Sequence, residues 1–424
     1  MINRKEAPKS TPITQISLPA PQTISLHGDS SLYIFRDKYL DLLHITIEVA
    51  GGRIYESRKY VAQALFSFLK ESSSQYPKEK MDQLLDYYGS SWNTSINIQN
   101  ATIELIIPKR NFNKIYPIII ETIVNPTFNS ENFEDFKKSK IKNLEYNNRK
   151  NSYIASQLML KNIYQLGTPL GTPLEREHIE NLSIDNLKEY HQQVFQANRI
   201  NIFAAGNIED DETHTIVQNF QQLSKSSTPI IPTTSLQTQE GQFIYEPREN
   251  SLQSTILLYK KLFDYNHTDR REFNILNTLL GGYFGSRLMQ KVREECGYTY
   301  SIYSENSYIC DHSIFFIESD VIEGKADESI EACFEEIKRL QTEEIGDEEL
   351  STLKTYLSGA YLRSVDGITS YMKTYVRWHK FGLNEEEMGQ LFATIKKISP
   401  QTILSLANRY LQRETISTII VGKH

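Results

Sequence analysis

In "DLLHITIEVAGGRIYE", residues 41 to 56, a run rich in apolar residues reads as a strand closed by a turn at two glycines. The period then changes. In "SRKYVAQALFSFLKESS", Val61, Ala62, Leu65, Phe68 and Leu69 recur at three- and four-residue spacing and predict an amphipathic helix near 58–70. "STILLYKKLF", followed by a helical pattern near 268–280, repeats the same succession in the second half of the chain.

The two halves also end alike. "SIDNLKEYHQQVFQANRINIFAAG" (183–206) and "SPQTILSLANRYLQRETISTIIVG" (399–422) align without a gap at an offset of 216. Ser183 and Ser399 stand as helix N-caps, whose hydroxyls accept from free amides of the first turn. Apolar residues coincide at Leu187 and Ile403, Tyr190 and Leu406, and Phe195 and Leu411. Ile200 with Ile416, and Phe203 with Ile419, then fall in strands that end at Gly206 and Gly422. Self-similarity at half the chain length marks an internal duplication. Strands among long helices, without a regular βαβ cadence, favour an α+β fold over a doubly wound sheet. The fold predicted is two homologous α/β sandwiches, each a mostly antiparallel sheet covered by helices. The first covers 1–222 and the second 250–424. The Pro-, Ser-, Thr- and Gln-rich stretch 223–249 is the linker and incoming strand.

Composition narrows the function. A chain of 424 residues with 23% charged and 39% hydrophobic residues is globular, and no apolar run is long enough to span a membrane. A net charge of -7 argues against general nucleic-acid binding, which needs a concentrated excess of Lys and Arg. Three cysteines without metal-type spacing argue against a disulfide framework or zinc knuckle, and suit a reducing compartment. The amino-terminal "MINRKEAPKSTPITQISLPAPQ" reads as an extended arm without the apolar core of a secretory signal. The expected address is the cytoplasm, or the periplasm if a signal has been removed.

Neither HExxH nor its inverse HxxEH occurs, and there is no phosphate loop or nucleophile elbow. His178 among carboxylates and the trio Cys310-Asp311-His312 lack a second histidine at helical spacing and read as surface or loop packing. The pointed feature is "LLGGYFGSRLMQKVREECGYTYSIYS", residues 279–304. A helix from Ser286 to about Glu295 ends at Gly297, and a Tyr-rich strand follows in which Tyr298, Tyr300 and Ile302 are expected to share one face. Arg293 near the helix end is placed to meet Tyr300 across the turn. A guanidinium and a phenol converging there suit a peptide carbonyl or its developing oxyanion. The plainer reading pairs Arg293 with a neighbouring glutamate and packs the tyrosines between layers.

On "LLGGYFGSRLMQKVREECGYTYS" and on "IYQLGTPLGTPLEREHIENLSIDNLKEYHQQVFQANRINIFAAGNI", nearly the whole chain resembles the insulinase or pitrilysin superfamily of inverted-motif zinc peptidases. The resemblance is to the branch related to mitochondrial processing peptidase and its bacterial relatives. It implies that an Arg and a Tyr seven residues later, here Arg293 and Tyr300, bind substrate backbone and assist the transition state. It also implies a zinc motif on the helix after "VAGGRIYE", where the two histidines and the glutamate become Gln63, Phe66 and Ser67. None replaces a zinc ligand or its general base. Glu145 stands where a third ligand would lie, and alone holds no metal.

By this resemblance the chain itself binds no metal or other cofactor. It is the non-zinc subunit of a heterodimeric peptidase, and the zinc lies on a homologous partner with an intact HxxEH motif. Two such chains would close into a clam-shell with an acidic or polar chamber. Gln63, Phe66, Ser67 and Lys70 would line it and help hold an unfolded peptide. The alternative is a catalytically silent peptide-binding or scaffold protein, as a homodimer, in which Arg293 and Tyr300 are relics.

Overall fold

The computed structural model describes residues 16–423 apart from 29, 74–75, 222, 224–234, 238 and 250. Residues 224–234 and 238 of the expected linker, and 1–15 of the amino-terminal arm, therefore lie outside the described residues. Among the described residues eleven strands form two sheets. The first half contributes β1 (Gln22–His27), β2 (Ser30–Arg36), β3 (Leu42–Val49), β4 (Ser91–Ile96), β5 (Ala101–Pro108) and β6 (Ile200–Gly206). The second contributes β7 (Phe243–Pro247), β8 (Gln253–Leu262), β9 (Thr299–Ile309), β10 (His312–Ile322) and β11 (Ser417–Gly422). The strand orders are β1-β2-β6-β3-β5-β4 and β7-β11-β8-β10-β9.

Each sheet is antiparallel except for one pair, β2 with β6 and β7 with β11. The duplication extends to register. Arg36 lies beside Gly206 and Ala204 beside Ile45; in the second half Pro247 lies beside Gly422 and Ile420 beside Ile256. Gly206 and Gly422 both have positive φ, at 126° and 138°. A Cβ at either would also press on the strand alongside, 2.7 Å from the Leu42 carbonyl oxygen or 2.6 Å from Ser254 Oγ. Glycine is therefore required twice, for one reason. The serine caps form as expected, Ser183 Oγ accepting from Asn186 N–H and Ser399 Oγ from Thr402 N–H, both at 3.2 Å.

The near-continuous apolar runs of the central strands follow from burial on both faces. Ile202 and Ala204 of β6 face a core shared with the first half's own helices, including Leu65, Tyr116 and Leu187. Phe203 and Ala205, one residue out of phase, face Tyr371, Met372 and Tyr375 on the second half's helix Ile368–His379. The exchange is reciprocal. Ile420 of β11 joins the second half's own core, whereas Ile419 and Val421 pack with Ala155 and Ile163 of the first half's helix Asn151–Ile163. Each half thus covers one face of the other's sheet with the helix at the same place in the duplication. Among the described residues of the arm, Ile16 and Leu18 also pack against this second-half surface, and the Tyr371 hydroxyl donates to the Pro19 carbonyl at 2.7 Å. That part of the arm is docked against the second half.

His312 departs from the surface or loop packing expected of it. It is buried at the junction of the halves, with Nδ1 2.9 Å from Asp311 and Nε2 2.7 Å from the hydroxyl of Tyr164. A carboxylate only accepts, so Nδ1–H donates to Asp311 and Nε2 accepts from Tyr164. Burial holds the imidazole below its ordinary pKa, in the neutral form this arrangement requires. Tyr164→Phe strands the acceptor and is expected to destabilise the chain by about 1–3 kcal/mol in urea unfolding. A smaller loss would mean that water reaches the junction.

Candidate functional site

Two local irregularities place the Arg293 and Tyr300 side chains. The helix expected over 286–295 is wound as a π-helix from Met289 to Glu295. This geometry is rare and concentrates at functional sites. Met289 and Val292 still face the core, and Gly297, at a φ of 68°, ends the element as anticipated. In the strand that follows, Thr299 pairs with Val321 but Ile302 pairs with Ser319, so three steps along β9 match two along β10. The extra residue is a β-bulge at Tyr300 and Ser301. Thr299 Oγ1 anchors it, donating to the Asp320 carbonyl at 2.7 Å and accepting from Ser301 N–H at 3.1 Å.

The bulge overturns the simple alternation expected of this strand. Thr299 and Ile302 both turn inward, and Tyr300 does not share the face of Ile302. Tyr300 projects outward and is 84% exposed, so it is not packed between layers. The Arg293 guanidinium lies over its ring, 5.2 Å from the centroid, and over the ring of Phe284 at 4.8 Å. Such cation–π contacts restrict the guanidinium plane while leaving its N–H edge open. The neighbouring-glutamate pairing is present as well, with Arg293 Nε 3.5 Å from Glu294. At this distance and exposure it is a weak tether.

Phe284 is the participant that sequence reasoning missed. Its signal was an aromatic residue among glycines in "GGYFGS", and 70% of its surface is exposed. An apolar ring of that size on the surface is informative when it stands beside a second exposed ring and a cation.

The helix on which the resemblance lays the zinc-motif positions spans Val61–Phe68 and continues into a 3₁₀ turn, Leu69–Glu71. Gln63 and Ser67, four residues apart, share a side, and Gln63 Nε2 donates to Ser67 Oγ at 3.3 Å. One turn further, Lys70 Nζ donates to Asn93 Oδ1 on edge strand β4 at 2.9 Å. Phe66 is a correction to the chamber lining expected from the resemblance. It is 1% exposed and packs in the first-half core, its ring 5.8 Å from that of Phe195. Glu145 is turned to Arg176 at 3.3 Å. The motif positions therefore do not fit zinc: one points into the core, and the other two offer an amide and a hydroxyl that satisfy each other. Among the described residues no group of three or more His, Cys, Asp or Glu side chains is gathered as a metal cage. A cavity of about 610 Å³ borders Ser67, walled by Glu71, Lys78, Asp135, Phe136 and Lys140.

This helix is held at its start by a buried carboxylate. Tyr60, just before the first turn, has a φ of 76°, and Glu56 accepts from the amides of Tyr60 and Ala62 at 3.1 Å each. Burial pushes the Glu56 carboxyl up to about 7, against the opposing pull of these amides and of Lys59. A carboxyl raised on folding contributes stability that is complete below its unfolded pKa of 4.5 and lost as pH rises through about 7. Between these pH values the wild type is therefore expected to lose on the order of 2–3 kcal/mol relative to Glu56→Gln. Parallel pH series of urea unfolding would read the difference, and a flat difference would show Glu56 ionised throughout.

Residues 181–357 match the family described as Peptidase M16 inactive domain. A Helicobacter pylori protein described as "Non-peptidase homolog YmxG" is 21% identical over 90% of this chain and 89% of its own. A Bacillus subtilis protein described as "Uncharacterized zinc protease YmxG" is 26% identical over 49% of this chain and 50% of its own. The crystal structure of a peptidase M16 inactive domain from Pseudomonas fluorescens superposes with a TM-score of 0.86 at 17% identity, covering 95% of this chain and 98% of that one. That of a protease from Helicobacter pylori gives 0.86 at 14%, covering 95% and 100%. The matched segment runs across the join of the two halves and holds the π-helix and bulge, and over most of its length this chain is similar to the insulinase-like M16 proteins.

Proposed function

We propose that this chain is a non-catalytic M16-type subunit that binds extended peptide and lends Arg293 and Tyr300 to an active site completed by a homologous partner with an intact HxxEH motif. The observation that carries this reading is the contrast between the two motifs. In one, Phe66 is folded into the core; in the other, a π-helix and a bulge hold a guanidinium and a phenol together at the surface. A relic would be free to lose both irregularities. The name of the Helicobacter pylori relative, a non-peptidase homologue, supports the silent half of this reading.

Chemically, Arg293 N–H groups and the Tyr300 hydroxyl donate to a peptide carbonyl, and do so more strongly as negative charge builds on its oxygen. The Phe284 and Tyr300 rings flank the guanidinium and offer apolar contact to neighbouring peptide side chains. Backbone pairing at an edge strand, β4 or β9, would add affinity without sequence preference.

The test is reconstitution. This chain, mixed with a zinc-loaded homologue carrying HxxEH, is expected to raise cleavage of a quenched peptide well above that of the homologue alone. Equal activity with and without this chain would sink the shared-site reading and leave the catalytically silent scaffold.

A further inference from the structure

The reciprocal packing of the halves leaves a polar gap. On β3 and β5 the apolar residues Ile45, Ile103 and Leu105 face the first-half core, so Thr46, Thr102 and Glu104 face the other way. There they meet the second half's helix Ile368–His379 and the end of helix Asp347–Ser364, around a cavity of about 450 Å³. Four cations line it: Arg363, Lys373, Arg377 and Lys380. Lys373, Arg377 and Lys380 follow one another at i, i+4 and i+7 and so share one side of the chain as the helix ends.

The charge here runs against the rest of the molecule. The chain carries a net -7, yet in this cleft four cations face the single lining carboxylate of Glu104, which is 4.0 Å from Lys373. Lys380 is 3.4 Å from Glu48, a buried carboxylate beneath the cleft that also accepts from Asn100 at 2.9 Å. Arg377 donates to Thr374 Oγ1 at 2.9 Å, and among the described residues neither it nor Arg363 has an ion-pair partner. Like charges four apart on a helix destabilise it, so Lys373 and Arg377 side by side are unfavourable until an anion lies between them.

We infer that this cleft binds a small phosphate-bearing polyanion, held between the halves. Two guanidinium forks and an ammonium, with the hydroxyls of Thr46, Ser370 and Thr374 at the walls, match an anion whose oxygens accept from several directions. A ligand with a single negative charge would leave part of this cationic excess uncompensated. Because the donors come from both halves, the bound anion ties them together and raises the temperature at which they separate.

The probe is inorganic pyrophosphate, titrated into the full chain by calorimetry and followed in parallel by thermal unfolding. The expected result is saturable binding that weakens with salt, with a rise in Tm. Lys373→Ala/Arg377→Ala is expected to weaken binding about ten- to hundredfold. Lys188→Ala, on an exposed ion pair elsewhere, should leave it unchanged. The double variant without ligand should unfold no earlier than wild type; if it does, Arg363→Gln replaces it as the test. Absence of saturable binding would overturn the inference, as would equal affinity of the variants. Citrate binding as tightly as pyrophosphate would overturn the phosphate assignment.

Discussion

Arg293→Ala is expected to lower kcat/KM of the reconstituted pair about 10²- to 10³-fold, the usual cost of removing one donor to a developing oxyanion. The loss should appear mainly in kcat if the guanidinium acts on the transition state, and mainly in KM if it only holds the ground-state carbonyl. Tyr300→Phe removes a single hydroxyl while keeping the ring against Arg293, so its effect should be smaller, about tenfold. Arg293→Lys keeps the charge but loses the fork and the stacking on Phe284 and Tyr300, and should fall between wild type and alanine. None of the three should change urea unfolding much, because Tyr300 is exposed and the Arg293 pairing with Glu294 is a surface contact. Kinetics indistinguishable from wild type for Arg293→Ala, in a pair that this chain does activate, would assign the pair to scaffolding.

What the sequence disclosed is what is local and periodic. Ser183 and Ser399 cap helices because a hydroxyl three residues before a free amide does so in any context, and the burial of Leu187 with Ile403 follows from helical spacing. The duplication therefore led directly to two sheets. Phe66 was misread because the spacing of Val61, Leu65 and Phe68 marks one buried side of the helix but says nothing of the other, where Phe195 arrives from a helix more than a hundred residues away.

The bulge at Tyr300 was hidden for a related reason. Thr299, Tyr300 and Ser301 alternate normally on paper, and only pairing with Ser319, Asp320 and Val321 makes one residue supernumerary. The π-helix likewise satisfies an α-helical pattern at Met289 and Val292. Both features belong to the site, which is where local rules are expected to give way to function. The crossing of helices Asn151–Ile163 and Ile368–His379 was unreadable because their apolar faces would suit either sheet.

The strand that presents Tyr300 rests on a helix fixed by a buried charge cluster, and this sets the second large effect. Glu387 is almost fully enclosed and accepts from Arg270 Nη2 at 2.7 Å and from Arg271 Nη2 at 2.6 Å, at the start of helix Arg270–Gly281. At the other end of that helix, Asn277 donates to the Ser304 carbonyl at 3.3 Å and accepts from Ser304 Oγ at 3.1 Å, so the helix and β9 are fastened together. Glu387→Ala would leave the buried Arg270 and its neighbour without a counter-charge, and is expected to cost about 3–5 kcal/mol in urea unfolding. The triad itself need not be stabilising relative to an apolar filling, because enclosing three charges also costs hydration. Arg270→Met/Arg271→Met/Glu387→Leu should therefore cost less than Glu387→Ala alone. A triple variant less stable than the single one would show that the ion pairs contribute net stability, whereas a loss below about 1 kcal/mol for Glu387→Ala would mean that water replaces the carboxylate.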